Sequence, residues 1–215
     1  MTACCQRFSA GMNNTEKQRF AALTTVFNRA PSGNIVELGV ASGVSFRMWG
    51  HLMAHHRGSG SLYGFDTFAG FPAIGSEDGP EMPAIGKRKG GETELRPRPI
   101  TWREACGGMH TAQVADDWVW DTWRLVEGAI EQTIEYAPPA VSLVFFDADL
   151  YSPTKIGIDV LWPRLVRGGL FVFDEYGREE WPGETRAVDD FVAREGLSLE
   201  LMDMPMGPSA LVVRP

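Results

Sequence analysis

Apolar and polar positions fall into blocks along the chain, and the period changes from block to block. NNTEKQRFAALTTVFNRA repeats apolar residues at helical spacing, with Phe20, Leu23 and Phe27 on one face and Thr15 placed to cap the start. PSGNIVELGV turns and becomes a short apolar strand. SGVSFRMWGHLMAHH returns to helical spacing, opening at Ser42 or Gly43, and GSGSLYGFDTF predicts a second strand ending in Asp66. TWREACGGMHTAQVADDWVWDTW reads as broken helix, WRLVEG as a weak third strand and AIEQTIEYA as a short helix. AVSLVFFDAD predicts a strand and SPTKIGIDVLWPRL a helix, with Ser152 as N-cap and Pro153 at the first helical position. GGLFVFDEYG is the next strand, and GETRAVDDFVAREG is a helix stopped by Gly196. LSLELMDM and SALVVRP close the chain as two strands joined by a Met/Pro/Gly turn.

Alternation of strand and helix predicts an α/β fold, a mostly parallel sheet with helices on both faces. The last two strands are expected to form an antiparallel hairpin. AGFPAIGSEDGPEMPAIGKRKGGETELRPRPI is rich in Gly and Pro and has no clear period, so it reads as a loop, and the insertion or lid as a whole is expected at about 74–123. The whole chain, 1–215, is the size of one domain.

Composition narrows the partners. Twenty Lys and Arg against twenty-eight Asp and Glu give a formal charge of −8, a sign that repels phosphate backbones and predicts no nucleic-acid partner. No apolar run has the length of a membrane span, and MTACCQRFSAGMNN lacks a signal peptide's apolar region. Cys4, Cys5 and Cys106 make no disulfide framework, and free thiols suit a reducing, cytoplasmic setting. His51 and His55 have zinc-like spacing, but no third ligand accompanies them, so a solvated helix face is expected. His110, Trp118, Trp120 and Trp123 carry no pattern that assigns them chemistry. Trp181 lies just beyond an acidic pair and is a candidate for touching a substrate.

The strand ends carry the chemistry, because ligands of open parallel sheets bind at their carboxyl ends. VELGVASG places Gly39 and Gly43 where the backbone can turn tightly, and points the next helix's N-terminus at a ligand. Ala41 stands where a dinucleotide fingerprint has its second glycine, with Ser42 beside it, which is a poor match for a pyrophosphate. Glu37 suits a cationic or hydroxyl-bearing ligand. Asp66, ending the second strand, is placed to accept hydrogen bonds from ribose hydroxyls. Asp147 and Asp149 end the fourth strand, and Asp174 and Glu175 the fifth. Adjacent strands would bring Asp147, Asp174 and Glu175 to one rim, where their charges demand a cation. Oxygen-only ligands favour Mg²⁺, with Ca²⁺ or Mn²⁺ as alternatives. Pairing with an arginine such as Arg178 or Arg186 is the competing explanation.

VELGVASG, YGFDTFAGFP, LVEGAIEQTI, FFDADLYSPT with LWPRLVRGG, and VFDEYG with AVDDF follow one another in an order that resembles the macrocin O-methyltransferase family. The resemblance runs from about Val36 to Phe191 and leaves out Ile74 to Trp123. It implies a Rossmann-like class I methyltransferase fold, a seven-stranded sheet and S-adenosylmethionine (SAM) as methyl donor. By that resemblance Glu37, Gly39 and Gly43 frame the methionine moiety, with Ala41 and Ser42 in the same turn. Asp66 binds the ribose, Thr67 and Phe68 line the adenosine pocket, and Glu127 and Gly128 border the adenine. Asp147, Asp174 and Glu175 hold Mg²⁺, with Asp147 also the general base. The family pattern has a second Asp where this chain has Glu175, which puts that ligand in a shifted position.

The implied reaction is Mg²⁺-dependent O-methylation of a hydroxyl on a sugar or glycosylated natural product. Homo-oligomeric assembly is an expectation of the same resemblance. A metal-dependent phenol or catechol O-methyltransferase, a non-catalytic SAM-binding protein and an NAD-dependent oxidoreductase are the other readings of these motifs.

Overall fold

The first helix forms where the apolar stripe predicted it, because Phe20, Leu23, Val26 and Phe27 fall on one face and all four are buried. It spans Asn14–Arg29 (α1). Its cap is Asn13, not Thr15: the Asn13 side chain accepts from the Glu16 N–H, and Glu16 accepts from the Asn13 N–H, both at 2.9 Å. This reciprocal pair satisfies two otherwise orphaned backbone donors. A computed structural model describes residues 9, 11–56, 60–71, 74–79, 123–204 and 206–215.

After α1 come β1 (Ile35–Leu38), α2 (Val44–His56), β2 (Leu62–Asp66) and a 3₁₀ turn at Ser76–Asp78. β3 (Trp123–Glu127), α3 (Ile130–Thr133), a second 3₁₀ turn (Ile134–Tyr136) and β4 (Val141–Phe146) follow. α4 (Tyr151–Leu161), β5 (Leu165–Phe173), α5 (Pro182–Glu195), β6 (Glu200–Leu201) and β7 (Ala210–Val213) complete the chain. The strands make one seven-stranded sheet in the order β3-β2-β1-β4-β5-β7-β6. Pairs from β3 to β5 are parallel, and β7 runs antiparallel to both β5 and β6. The last two strands are antiparallel as expected, but residues 202–209 connect them in place of a tight turn, and β6 is only two residues long.

From Leu143 to Phe146 β4 reads as unbroken apolar sequence because both of its faces are covered. Leu143 and Phe145 join the layer beneath α1 and α2, with Phe20, Leu23, Trp49 and Leu52. Val144 and Phe146 join the opposite layer beneath α4 and α5, with Ile158, Phe171 and Phe191. Each such burial stabilises by about 1.5–3 kcal/mol. His51, expected on a solvated face, is fully buried and packs edge-on to Phe20 at 5.8 Å. Trp123 meets Phe46 edge-on at 5.9 Å.

The N-terminus of α4 differs from the expectation. The helix starts at Tyr151 with Leu150 as the capping position, and Ser152 instead donates its hydroxyl to Glu131 at 2.6 Å. The cap comes from a distant residue: Asp78 Oδ1 accepts the Tyr151 N–H at 2.7 Å. α5 ends as predicted, at Gly196, whose φ of 64° is the left-handed stop that glycine adopts freely.

Candidate functional site

Each central parallel strand hands its hydrogen-bond ladder on to a chemically loaded residue. The N–H of Gly39 donates to Phe65, Asp147 to Leu38, Asp174 to Phe146 and Gly128 to Asp66, all at 2.8–3.0 Å. Sheet pairing therefore sets the glycine turn, the β2 and β3 ends and the acids of β4 and β5 along one edge. Among the described residues, the non-glycine positions with left-handed backbone are Ala41, Phe68 and Asp149, with φ of 46°, 50° and 65°. Each lies just past the end of β1, β2 or β4. Such strain costs about 1–3 kcal/mol per residue and concentrates at functional sites.

In the glycine turn, Gly39 has φ 91°, and a Cβ there would fall 2.0 Å from the Asp147 carbonyl oxygen. Glu37 beneath it is fully buried. One carboxylate oxygen accepts from the Ser45 hydroxyl, and the other has no hydrogen-bond partner among the described residues. Burial pushes Glu37 up to about 8, against the opposing pull of Ser45 and Arg19. Asp66 braces the turn. Its Oδ2 accepts the Val40 and Ala41 N–H groups at 2.7 and 2.8 Å, and its Oδ1 accepts that of Phe68 at 2.7 Å. A carboxylate has about four lone-pair sites, so roughly one is left for a ligand. Thr67 donates to the Gly70 carbonyl at 2.5 Å, Phe68 is buried, and Glu127 stands opposite Asp66 in the β2–β3 register, exposed ahead of Gly128. Ser42 is exposed in the turn and its carbonyl accepts from Arg47 at 3.0 Å, while Gly43 has φ 75°.

The acidic rim has an arrangement the sequence did not reveal. Asp147, Asp149 and Glu175 each offer an oxygen, all within 4.8 Å of one another. Asp174 instead lies on Arg19, whose Nη1 donates to both its oxygens at 3.1 and 3.0 Å, while Nη2 reaches Asp147 Oδ2 at 2.6 Å. Arg19 comes from α1 and lies over the Phe145 ring at 5.4 Å. Burial works against its charge, but Asp147 and Asp174 outweigh that and raise its pKa. Burial, followed by the adjacent Asp174 charge, pushes Asp147 well up, and Arg19 opposes this. Of the arginines considered as partners, Arg178 pairs with Glu175 at 2.7 Å, while Arg186 lies over the Tyr151 ring at 5.9 Å.

Glu184, on α5, lies under this rim and is fully buried. Its Oε1 accepts the Glu175 N–H at 2.8 Å and its Oε2 has no hydrogen-bond partner among the described residues. Burial pushes its carboxyl well above the ordinary range, with Asp174 and Asp149 adding to the rise. Trp181 is buried against Leu150, with Phe71 at 6.2 Å. Residues 74–79 of the expected lid tie down to α4 through Asp78, and residues 80–122, with Cys106, His110, Trp118 and Trp120, lie outside the described residues, as do Cys4 and Cys5. Arg19, Asp78 and Glu184 were not legible as site residues. Arg19 did leave a trace: it sits four residues before Leu23, a cation on the apolar stripe of α1.

Comparison with known proteins places the family and the fold. A family model described as a methyltransferase domain matches residues 36–176. The 8-demethyl-8-(2,3-dimethoxy-alpha-L-rhamnosyl)-tetracenomycin-C 4'-O-methyltransferase of Streptomyces olivaceus is 25% identical over 190 residues, 87% of this chain and 68% of that protein. Demethyldecarbamoylnovobiocin O-methyltransferase of Streptomyces niveus is 28% identical over 198 residues, 89% of this chain and 70% of that protein. Among solved structures, the calicheamicin methyltransferase CalS11 aligns with a TM-score of 0.69 at 21% identity, over 98% of this chain and 89% of that one. The O-methyltransferase NovP aligns with a TM-score of 0.70 at 21% identity, over 93% and 78%. These two likenesses are of fold. The chain belongs to the methyltransferase-domain family, and it is a SAM-dependent methyltransferase whose relatives are the macrocin-like O-methyltransferases of sugars and natural products.

Proposed function

We propose that the protein transfers the methyl group of SAM to a hydroxyl of a sugar or glycosylated natural product. The observation that carries this reading is the oxygen-only group Asp147, Asp149 and Glu175, just past the ends of β4 and β5, with β4 next to β1 and its glycine turn. The relatives named above, O-methyltransferases of a rhamnosyl tetracenomycin and of demethyldecarbamoylnovobiocin, support the substrate class.

SAM supplies a methyl on a sulfonium centre, whose leaving group departs neutral. The residues of the glycine turn support that ligand: the second oxygen of Glu37 has no hydrogen-bond partner among the described residues, and the turn leads directly into the N-terminus of α2. Asp66, Thr67 and Phe68 would take the ribose and adenosine, and Glu127 and Gly128 the adenine edge. Asp66 must share its carboxylate between the turn and the ribose.

The difficult step is ionising the acceptor hydroxyl. Asp147 is the proposed proton acceptor, and such positioned bases typically contribute about 10²–10⁴-fold. The chemistry of the rim supports a hard divalent cation, because its three converging donors are all carboxylate oxygens, although Arg19 pairs with Asp147 and Arg178 with Glu175 when no ion is bound. Mg²⁺ held by Asp147, Asp149 and Glu175 would stabilise negative charge on the acceptor oxygen. Asp174, expected as a ligand, serves in this arrangement as the partner of Arg19. Trp181 and Leu150 provide an apolar wall beside the acids for the acceptor. Incubation with labelled SAM and a panel of glycosylated natural products, with and without a chelator, tests the reading. Chelator-sensitive transfer to a sugar hydroxyl is expected; transfer only to phenols would overturn the substrate class.

A further inference from the structure

We propose that Arg19 is a tethered cation, anchored on Asp174, that competes with a divalent metal ion for Asp147. The inference rests on the metal-binding reading given above. Its basis is the way the guanidinium is used: one terminal nitrogen covers both oxygens of Asp174 and the other covers Oδ2 of Asp147. Two carboxylates at the tips of adjacent strands would repel each other without such a charge between them. Asp174 is buried, and both of its oxygens are engaged.

The tether is firm. α1 is anchored by Phe20, Leu23 and Val26, all at most 2% exposed, and the guanidinium lies across the Phe145 ring. Arg19 therefore holds the two strand tips together in the absence of any ion.

A divalent ion needs carboxylate oxygens at about 2.0–2.6 Å. An ion drawing on Asp147, whose Oδ2 faces a guanidinium nitrogen at 2.6 Å, meets the Arg19 charge at short range, and the two cations repel. Asp149 and Glu175 complete the oxygen group with Asp147, and an ion seated there would also have to draw Glu175 from Arg178, its partner at 2.7 Å. As it draws Asp147 toward itself, like charges at short range drive Arg19 away. Arg19 thereby weakens the site's affinity for metal and preserves its shape when metal is absent.

The test measures Mn²⁺ binding to the full chain by electron paramagnetic resonance, comparing the wild type with Arg19→Gln and Arg19→Lys. Arg19→Gln is expected to tighten binding by about tenfold or more, as loss of a neighbouring unit charge predicts. Arg19→Lys should fall between the two. In the wild type, Mn²⁺ should increase labelling of Arg19 by phenylglyoxal, mapped by mass spectrometry. Unchanged or weaker Mn²⁺ binding in Arg19→Gln overturns the competition and leaves Arg19 as an aligning residue for Asp147. Should Arg19→Gln fail to fold, rescue of folding by Mn²⁺ supports the proposal. Without rescue, the labelling decides, and unchanged or reduced labelling overturns it. If no variant binds Mn²⁺, this inference and the metal reading both fall. If the wild type binds Mn²⁺ with an affinity indifferent to Arg19, only this inference falls.

Discussion

Asp78 caps the helix that begins at Tyr151, 73 residues further along the chain, through a 2.7 Å hydrogen bond from the Tyr151 N–H. The same carboxylate accepts the Gly75 N–H at 2.7 Å, so it also closes its own turn. Asp78→Ala is expected to destabilise the protein by about 1–2 kcal/mol, as lost caps do, measured by urea unfolding. Asp78→Asn should cost less, because one oxygen remains to accept. Equal losses in the two variants would mean that the charge, and not the cap, matters.

Stability should fall with rising pH. Burial raises the folded pKa of Glu37 from an ordinary 4.5 to about 8, and raises Glu184 in the same direction. A group raised in the folded state contributes its full stability below its unfolded pKa and loses it as pH climbs through the folded value. The melting temperature of the ligand-free protein should therefore drop between about pH 4.5 and 8 on account of Glu37. Glu37→Gln, which cannot ionise, should flatten that drop. A wild-type profile already flat over this window would contradict the assignment.

Asp147→Asn keeps an oxygen for Arg19 but loses the base. Turnover should fall by about 10²–10⁴-fold, while the dissociation constant for SAM, measured by calorimetry, stays within a few-fold of wild type. Substantial turnover in this variant would move the proton acceptor elsewhere.

Trp181→Phe keeps the apolar contact with Leu150 and Phe71 while shrinking the wall. The acceptor KM should rise, with SAM affinity unchanged. Thermal melts run in parallel would separate this from a packing defect, since cavities in apolar clusters destabilise as well.

Much of the fold was legible because burial imposes periodicity. The run LVFF at 143–146 announced a strand covered on both faces, and Gly196 announced the end of α5. The glycine turn and the acids were legible because they break that pattern at strand ends. What stayed hidden was contact at long range. Nothing local to Ser152 says that Asp78 will take the capping role, and nothing local to Asp174 says that a helix 155 residues earlier will send an arginine to it. His51 was misread because a polar ring on a helix was assigned to water before the packing of α1 against α2 was known.

Gly39 has a consequence for how such an enzyme can diversify. With no side chain between the turn and the Asp147 carbonyl, the donor cradle and the acid-bearing strand rest main chain against main chain. With the donor and acceptor seated as proposed, the reach from methyl to nucleophile would be a property of the scaffold, independent of the side chains around Trp181. A change in that wall would then alter which acceptor fits without altering the distance across which the methyl must pass.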